Sequence, residues 1–200
     1  IIPRKMNTMQ KAPHAPVPRL IEERLKRGSK SVLLLGPRQT GKSTLIARLL
    51  RPDLTINLAR EVEYLRFASH PDELEQRIRA EKPKTVFIDE IQRIPSLTNT
   101  IQAIIAGGKG PRFFVTGSSA RKLRRGQANL LPGRIHQFYL SPFLHHELGG
   151  KLDLRAALET GLLPGIYLEP DAQQRRETLS SYTATYLKEE IQAEALTKNI

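Results

Sequence analysis

The sequence predicts an α/β fold in which a parallel β-sheet is sandwiched by helices. Short apolar runs alternate with segments of helical spacing, and several runs are apolar at every position, as in strands buried on both faces. Strict alternation of strand and helix is typical of parallel sheets, because each parallel pair needs a crossover connection. The predicted strands are Ser31–Leu35, Leu54–Leu58, Thr85–Ile88, Arg112–Thr116 and Ile135–Leu140.

The predicted helices connect these strands and continue after the last one. They are Leu20–Lys26, Ser43–Leu50, Glu61–Ala68, Asp72–Ala80, Ser96–Ile105, Phe143–Leu148, Leu154–Glu159 and a segment from Gln173 to about Ala195. Three regions follow: a flexible, basic, proline-rich arm over 1–19, a core over 20–141 and a helical extension over 142–200. Because the last helix is polar and the chain stops there, we expect a further C-terminal domain in the natural protein.

Composition excludes several classes of protein. Hydrophobic residues make up 39% of the chain and charged residues 26%, which is typical of a globular protein rather than a disordered one. The chain has no cysteine, which rules out disulfides and cysteine-based metal sites. No apolar stretch reaches the roughly 18 residues of a membrane span, and the basic N-terminus lacks the apolar run of a signal peptide. These features predict a cytoplasmic protein without a membrane segment.

Positive charge is concentrated in two segments. The net charge is +12; residues 1–30 carry eight basic and two acidic side chains, and residues 109–134 carry seven basic and no acidic ones. Such segments favour polyanions, so nucleic acid bound without sequence preference is a predicted partner. The alternative is that these side chains simply solvate the surface.

The strongest motif is a glycine-rich loop between the first predicted strand and the following helix. Residues 36–43 read GPRQTGKS and match G-x-x-x-x-G-K-[ST]. Glycines let backbone N–H groups wrap around phosphate oxygens, and the helix N-terminus adds its positive dipole end. Lys42 is expected to reach the β- and γ-phosphates, and the Ser43 hydroxyl to bind Mg²⁺. The predicted nucleotide-binding residues are Gly36, Pro37, Arg38, Gln39, Thr40, Gly41, Lys42, Ser43 and Thr44.

Two adjacent carboxylates end the third predicted strand. Asp89 follows an apolar run at a carboxyl end, where a hard oxygen ligand for Mg²⁺ is needed opposite the loop serine. Ser43 and Asp89 are therefore the predicted metal ligands. Glu90 is predicted to orient or deprotonate an attacking water, which favours hydrolysis over phosphoryl transfer to another metabolite.

Further polar residues extend this site. The fourth strand ends in small hydroxyl residues, of which Ser118 is the first choice to contact the γ-phosphate or the water and Thr116 the second. Arg134, after a glycine at the start of the last strand, is predicted to stabilise transition-state charge, in cis or from a neighbouring subunit. Arg121–Arg125 is interpreted as an exposed basic surface. No N-K-x-D segment for guanine is present, so ATP is preferred over GTP.

These motifs together resemble a known family. GPRQTGKST, VFIDEIQRIP, FFVTGSSARKLRRG and TYLKEEI, in this order from Leu20 to Ile191, resemble prokaryotic AAA+-like ATP-binding proteins whose ATPase module precedes a C-terminal domain of unknown function. The resemblance implies a five-stranded P-loop NTPase core of the additional-strand, catalytic-glutamate class. LPGRI resembles the family's Gly-Arg element and supports Arg134. Residues 161–165 (GLLPG) depart from the family's G-G-[LF]-P-E stretch, lacking its second glycine and its glutamate.

Two functions are therefore open from the sequence. The first is ATP binding with Mg²⁺-dependent hydrolysis by Lys42, Ser43, Asp89, Glu90, Ser118 and Arg134. The alternative is a nucleotide-gated module with little turnover that binds nucleic acid or a protein partner, with contacts from 109–134 and the basic arm. Assembly into a homo-oligomer is compatible with either.

Overall fold

The structure, a computed structural model, describes residues 16–118, 123 and 133–187. Five parallel strands form one sheet in the order β2–β3–β4–β1–β5. The strands are β1 (Ser31–Leu35), β2 (Leu54–Asn57), β3 (Thr85–Asp89), β4 (Arg112–Gly117) and β5 (Ile135–Tyr139). The predicted fold class and all five predicted strands are confirmed, with ends that differ by at most one residue.

Helices connect the strands and follow the last one. The first five are α1 (Glu22–Arg27), α2 (Lys42–Leu50), α3 (Glu61–Ser69), α4 (Glu73–Glu81) and α5 (Leu97–Ala106). After β5 come α6 (Leu154–Thr160), α7 (Pro164–Tyr167) and α8 (Ala172–Tyr182), and α8 continues into a π-helical turn, Thr183–Leu187. Short 3₁₀ turns occupy Ile91–Arg93 and His145–Leu148. The helix predicted over Phe143–Leu148 is thus a 3₁₀ turn, and the last predicted helix can be followed only to residue 187.

Apolar side chains of the sheet pack on both of its faces. In β1 every residue is buried, and alternate side chains join two different apolar clusters. Leu33 and Leu35 belong to the cluster that includes residues of α3, α4 and α5, whereas Val32 and Leu34 pack with residues of α1 and α2. Because side chains alternate across a strand, this division places helices on both faces of the sheet.

Parallel pairing gives the sheet two chemically different edges. The carboxyl edge is where the strands end, and Leu35 pairs there with both Gly117 and Tyr139 while Asn57 pairs with Asp89. The amino edge, where the strands begin, carries the connections that lead into each strand. In open α/β sheets ligands bind outside the carboxyl ends of the strands. A ligand-binding site is therefore expected at the carboxyl edge.

Gly36 lies where the main chain of the segment after β5 comes closest to the end of β1. The Leu140 N–H donates to the Leu35 carbonyl oxygen at 2.7 Å, and a Cβ on Gly36 would stand 2.1 Å from the Leu140 oxygen. The φ of Gly36 is +149°, a value that side chains rarely tolerate. Glycine is therefore required here by sterics as well as by backbone conformation.

We expect Gly36→Ala to lower the free energy of unfolding by about 3 kcal/mol, because the new methyl group meets main chain that cannot move aside. Gly41→Ala is the matched control: Gly41 also has a positive φ, +86°, but no atom lies within 4 Å of its added Cβ. The control should cost only about 1 kcal/mol of backbone strain. Urea unfolding measures both; equal losses would contradict the steric argument.

Candidate functional site

The loop of residues 36–41 joins β1 to α2 at the carboxyl edge. Gly36, Gln39 and Gly41 have positive φ angles, and Gly41 is the residue that precedes α2. Gln39, at +64°, holds a left-handed conformation that costs a non-glycine residue about 1 kcal/mol. This backbone curls over the first turn of α2, whose N–H groups have no partners within the helix. The arrangement is suited to an anion.

Lys42 folds back into the loop. Its Nζ donates to the carbonyl oxygens of Gly36 at 2.8 Å and Pro37 at 2.7 Å, and the residue is only 5% exposed. Burial lowers the pKa of Lys42, while the carboxylates of Glu90 and Asp89 oppose that shift. The ammonium group is thus held inside the loop, where Lys42 was predicted to meet phosphate.

The Asp89 carboxylate accepts hydrogen bonds from hydroxyl groups of two neighbouring elements. The Ser43 Oγ donates to Asp89 Oδ1 at 2.8 Å, and the Thr116 hydroxyl donates to the same oxygen. The predicted ligand pair is therefore in direct contact. Hard oxygen donors of this kind fit Mg²⁺, which commonly keeps waters and takes its other ligands from substrate phosphates. Within 16–118, 123 and 133–187 no cluster of three or more His, Asp or Glu side chains offers an all-protein metal cage.

Glu90 lies next to this pair in an unusual conformation. Its φ is +59° and its ψ is +45°, the left-handed region, just before the 3₁₀ turn Ile91–Arg93. Gln92, in that turn, donates through Nε2 to Glu90 Oε2 and accepts the Ser118 N–H at 3.3 Å through Oε1. The Ser118 Oγ is buried and has no hydrogen-bond partner in the described part of the chain. Glu90 and Ser118 thus lie on opposite sides of one amide group.

A cavity of about 800 Å³ opens beside these groups. Arg38 and Gln39 of the loop line one side with Asp89, Glu90 and Gln92. The other side is lined by α8 and the π-helical turn, through Thr178, Ser181, Tyr182, Thr185 and Tyr186. The rings of Tyr182 and Tyr186 stack with centroids 5.1 Å apart and planes 15° from parallel. The helical extension therefore faces the carboxyl edge rather than lying away from it.

Arg134 is not brought into this site. It is exposed and immediately precedes β5, whose first residue pairs with Ser31 at the amino edge. The five residues of β5 span about 16 Å, so Arg134 lies one strand length from the loop. The structure does not place Arg134 beside the loop of its own chain, and its role in stabilising transition-state charge, in cis or from a neighbouring subunit, stays a prediction. Arg121 and most of the predicted basic surface around it lie outside the described residues.

Arg19 contacts the loop, although the sequence placed it at the end of a flexible arm. It is 7% exposed, and its guanidinium donates to the Thr40 carbonyl at 2.9 Å, to the Ser141 carbonyl at 2.7 Å and to Glu147 Oε2 at 2.9 Å. Arg19, the last residue of the predicted arm, is thus packed against the core; residues 1–15 lie outside the described part. One arginine after four prolines gives no sequence signal for burial, because the partners of its guanidinium are 21 to 128 positions away.

The loop, the buried lysine within it and the serine–aspartate pair across from it define the class of module: a P-loop nucleotide-binding domain. β4 lies between β1 and β3, which agrees with the additional-strand core that the resemblance implied. Residues 28–149, more than half of the chain, match the family model of the AAA domain. The chain belongs to this family and carries a P-loop, AAA-type ATPase module.

Two similar proteins are described only as uncharacterized. Protein Mb2031c of Mycobacterium bovis and protein Rv2008c of Mycobacterium tuberculosis are each 29% identical to this chain over 164 residues. The match covers 80% of this chain and 36% of each relative, so the chain spans about a third of the length of these relatives.

A partial structural likeness is found with a solved structure of two coordinating Pif1 helicases that unwind forked double-stranded DNA. Its TM-score is 0.43 at 13% sequence identity, over 80% of this chain and 49% of that one. No helix in residues 16–118 or 133–187 has the length and apolarity to cross a membrane.

We expect Arg19→Ala to lower the free energy of unfolding by about 3–5 kcal/mol, since it leaves the Glu147 carboxylate buried without its cation. The side chains of Arg19 and Glu147 are 5% and 3% exposed. Arg27→Ala, whose side chain is 83% exposed, should change stability by less than about 0.5 kcal/mol. Denaturant unfolding measures the free energy of unfolding of both variants. Similar losses would show that the buried ion pair of Arg19 and Glu147 contributes no more to stability than an exposed arginine does.

Proposed function

We propose that this module binds ATP with Mg²⁺ and hydrolyses it. The contact between Ser43 and Asp89, with Glu90 directly after, is the single observation that carries the proposal. It joins a phosphate-binding loop to two hard oxygen donors and a further carboxylate at one edge of the sheet. Magnesium, when bound, neutralises charge on the β- and γ-phosphate oxygens. ATP is favoured over GTP by the sequence alone.

The residues of the loop bind and orient the triphosphate. Backbone N–H groups of the loop, to which Pro37 contributes none, bind the phosphates, and Lys42 exchanges its two carbonyl partners for phosphate oxygens. Ser43 and Asp89 would hold the Mg²⁺ ion. Because Lys42 is already desolvated within the loop, its interaction with phosphate is stronger than it would be in water.

Glu90 acts on the attacking water in this proposal. Its carboxylate lines the cavity beside the loop and can accept a proton from a water aligned with the γ-phosphate. Ser118 offers a buried hydroxyl without a partner in the described residues, which suits a contact to the γ-phosphate or the water. Thr116, the second choice, already donates to Asp89 and is better explained as support for that carboxylate.

We expect Glu90→Gln to bind ATP as well as the wild type and to hydrolyse it at least about 100-fold more slowly, because the amide cannot take a proton. Glu81→Gln, an exposed glutamate at the end of α4, is the control and should leave turnover unchanged. ATP affinity by titration calorimetry and phosphate release separate binding from chemistry. Undiminished turnover in Glu90→Gln would remove Glu90 from the mechanism.

A second candidate function, nucleic-acid binding, is favoured by the charge of the amino edge. The connections 28–30, 51–53, 82–84, 107–111 and 133–134 lead into the strands and carry six exposed cations: Lys30, Arg51, Lys82, Lys84, Lys109 and Arg134. Asp53 is the only acidic residue in them, and its carboxylate accepts hydrogen bonds from Lys84 N and from Thr85. Every strand is preceded by at least one cation.

Strand spacing sets the size of this cationic row. Five strands about 4.8 Å apart span about 19 Å, which is roughly five phosphates along one strand of duplex DNA. The row faces away from the nucleotide loop, so both ligands could be bound at once. Contacts of this kind recognise the phosphate backbone and not the bases.

A cytoplasmic location and assembly into a homo-oligomer, in which Arg134 meets a neighbour, are further parts of the proposal that rest on sequence.

We expect the triple variant Lys82→Glu, Lys84→Glu, Lys109→Glu to lose affinity for a labelled duplex of about 20 base pairs. The slope of log affinity against log salt should fall by about one for each lost phosphate contact, measured by anisotropy from about 50 to 300 mM salt. The control Arg66→Glu, Lys151→Glu, Arg176→Glu changes the charge equally at exposed positions outside these connections. Equal losses, or no binding by the wild type at low salt, would contradict the assignment of this edge.

A further inference from the structure

Gln92 is held at a fixed place between two anchored neighbours. Ile91 is completely buried in the apolar core, and Arg93 donates to the carbonyls of Leu58 at 2.8 Å and Ala59 at 3.1 Å. The 3₁₀ turn itself is closed by hydrogen bonds from the Arg93 N–H to the Glu90 oxygen and from the Ile94 N–H to the Ile91 oxygen, both at 3.0 Å. The half-buried side chain of Gln92 therefore leaves a rigid turn and reaches the cavity.

The amide of Gln92 joins Glu90 to the end of β4. Its Nε2 donates to the Glu90 carboxylate, while its Oε1 accepts the Ser118 N–H at 3.3 Å. That oxygen also lies close to Gly117, where a built Cβ would be 3.1 Å away. A side chain at position 117 would crowd the amide of Gln92. Glycine at this position leaves the space that the amide occupies at the end of β4.

An amide is suited to both of these contacts. Asparagine and glutamine carry a donor and an acceptor on one neutral group. A carboxylate at position 92 would repel Glu90, an ammonium could not accept from Ser118, and an apolar chain could do neither. The left-handed backbone of Glu90 makes this support more important, because the direction of its carboxylate depends on a backbone conformation that a non-glycine residue rarely adopts.

We propose that Gln92 is the positioning residue that aims the Glu90 carboxylate at the attacking water and couples its direction to the end of β4 at Ser118. The inference rests on the proposed hydrolytic function and adds a residue to it. Gln92 acts through Glu90 rather than on the nucleotide. Removing the amide should therefore lower turnover while leaving ATP affinity unchanged.

The experiment compares Gln92→Met, which keeps the length of the side chain and removes both polar contacts, with Gln102→Met, a half-buried glutamine on α5. Gln92→Met should keep its ATP dissociation constant within about 2-fold and lose about 10- to 100-fold in kcat, the cost of a small misplacement. Gln102→Met should match the wild type in both. Gln92→Glu should be at least as slow as Gln92→Met, since its charge repels Glu90. Thermal unfolding confirms that each variant is folded.

A second background separates positioning from other roles. In Glu90→Gln the group that Gln92 aims is absent, so adding Gln92→Met should change the remaining rate by less than about 2-fold. A wild-type kcat in Gln92→Met, or an equal fall in both backgrounds, overturns the inference while the hydrolytic proposal stands. A wild-type rate in Glu90→Gln overturns the hydrolytic proposal itself and this inference with it.

Discussion

One carboxylate oxygen, Asp89 Oδ1, joins the three parts from which the site is built. It accepts the Ser43 hydroxyl at the start of α2 and the Thr116 hydroxyl in β4, while its own backbone ends β3. Two strands and the loop helix are thereby held in one arrangement around a buried anionic group. A buried carboxylate is costly unless it is well satisfied. In the described structure the Ser43 and Thr116 hydroxyls satisfy the Asp89 carboxylate by donating hydrogen bonds to it. A bound cation would take oxygen ligands from the same pair, Ser43 and Asp89.

Because the strands are parallel, the two edges of the sheet where the strands begin and end carry different functional side chains. At the carboxyl edge lie the loop, Asp89, Glu90 and Ser118; at the amino edge lie the cations that precede each strand. Because all strands run the same way, a residue just before a strand cannot meet one just after it. This is why Arg134, which precedes β5, lies at the amino edge, one strand length (about 16 Å) from the carboxyl edge.

Two side chains connect the loop and the carboxylates to the rest of the fold. Arg19 links the Thr40 carbonyl to the segment after β5 and to Glu147, which also accepts the N–H groups of Leu20 and Leu144. Gln92 links Glu90 to β4. Each of these side chains therefore joins two separate elements of the fold through hydrogen bonds.

The sequence by itself determined the fold class and the five strands and predicted the loop, Asp89 and Glu90 as site residues, because these depend on local apolar runs and on motifs whose residues are contiguous. It also singled out Ser118, since strand ends of a parallel sheet meet at one edge. The tertiary structure decided the placement of Arg19 and Arg134 and the contacts of Gln92. Arg19 reaches partners as far as 128 positions away, and the place of Arg134 follows from strand direction. Both depend on how distant segments meet, which no local pattern of residues records.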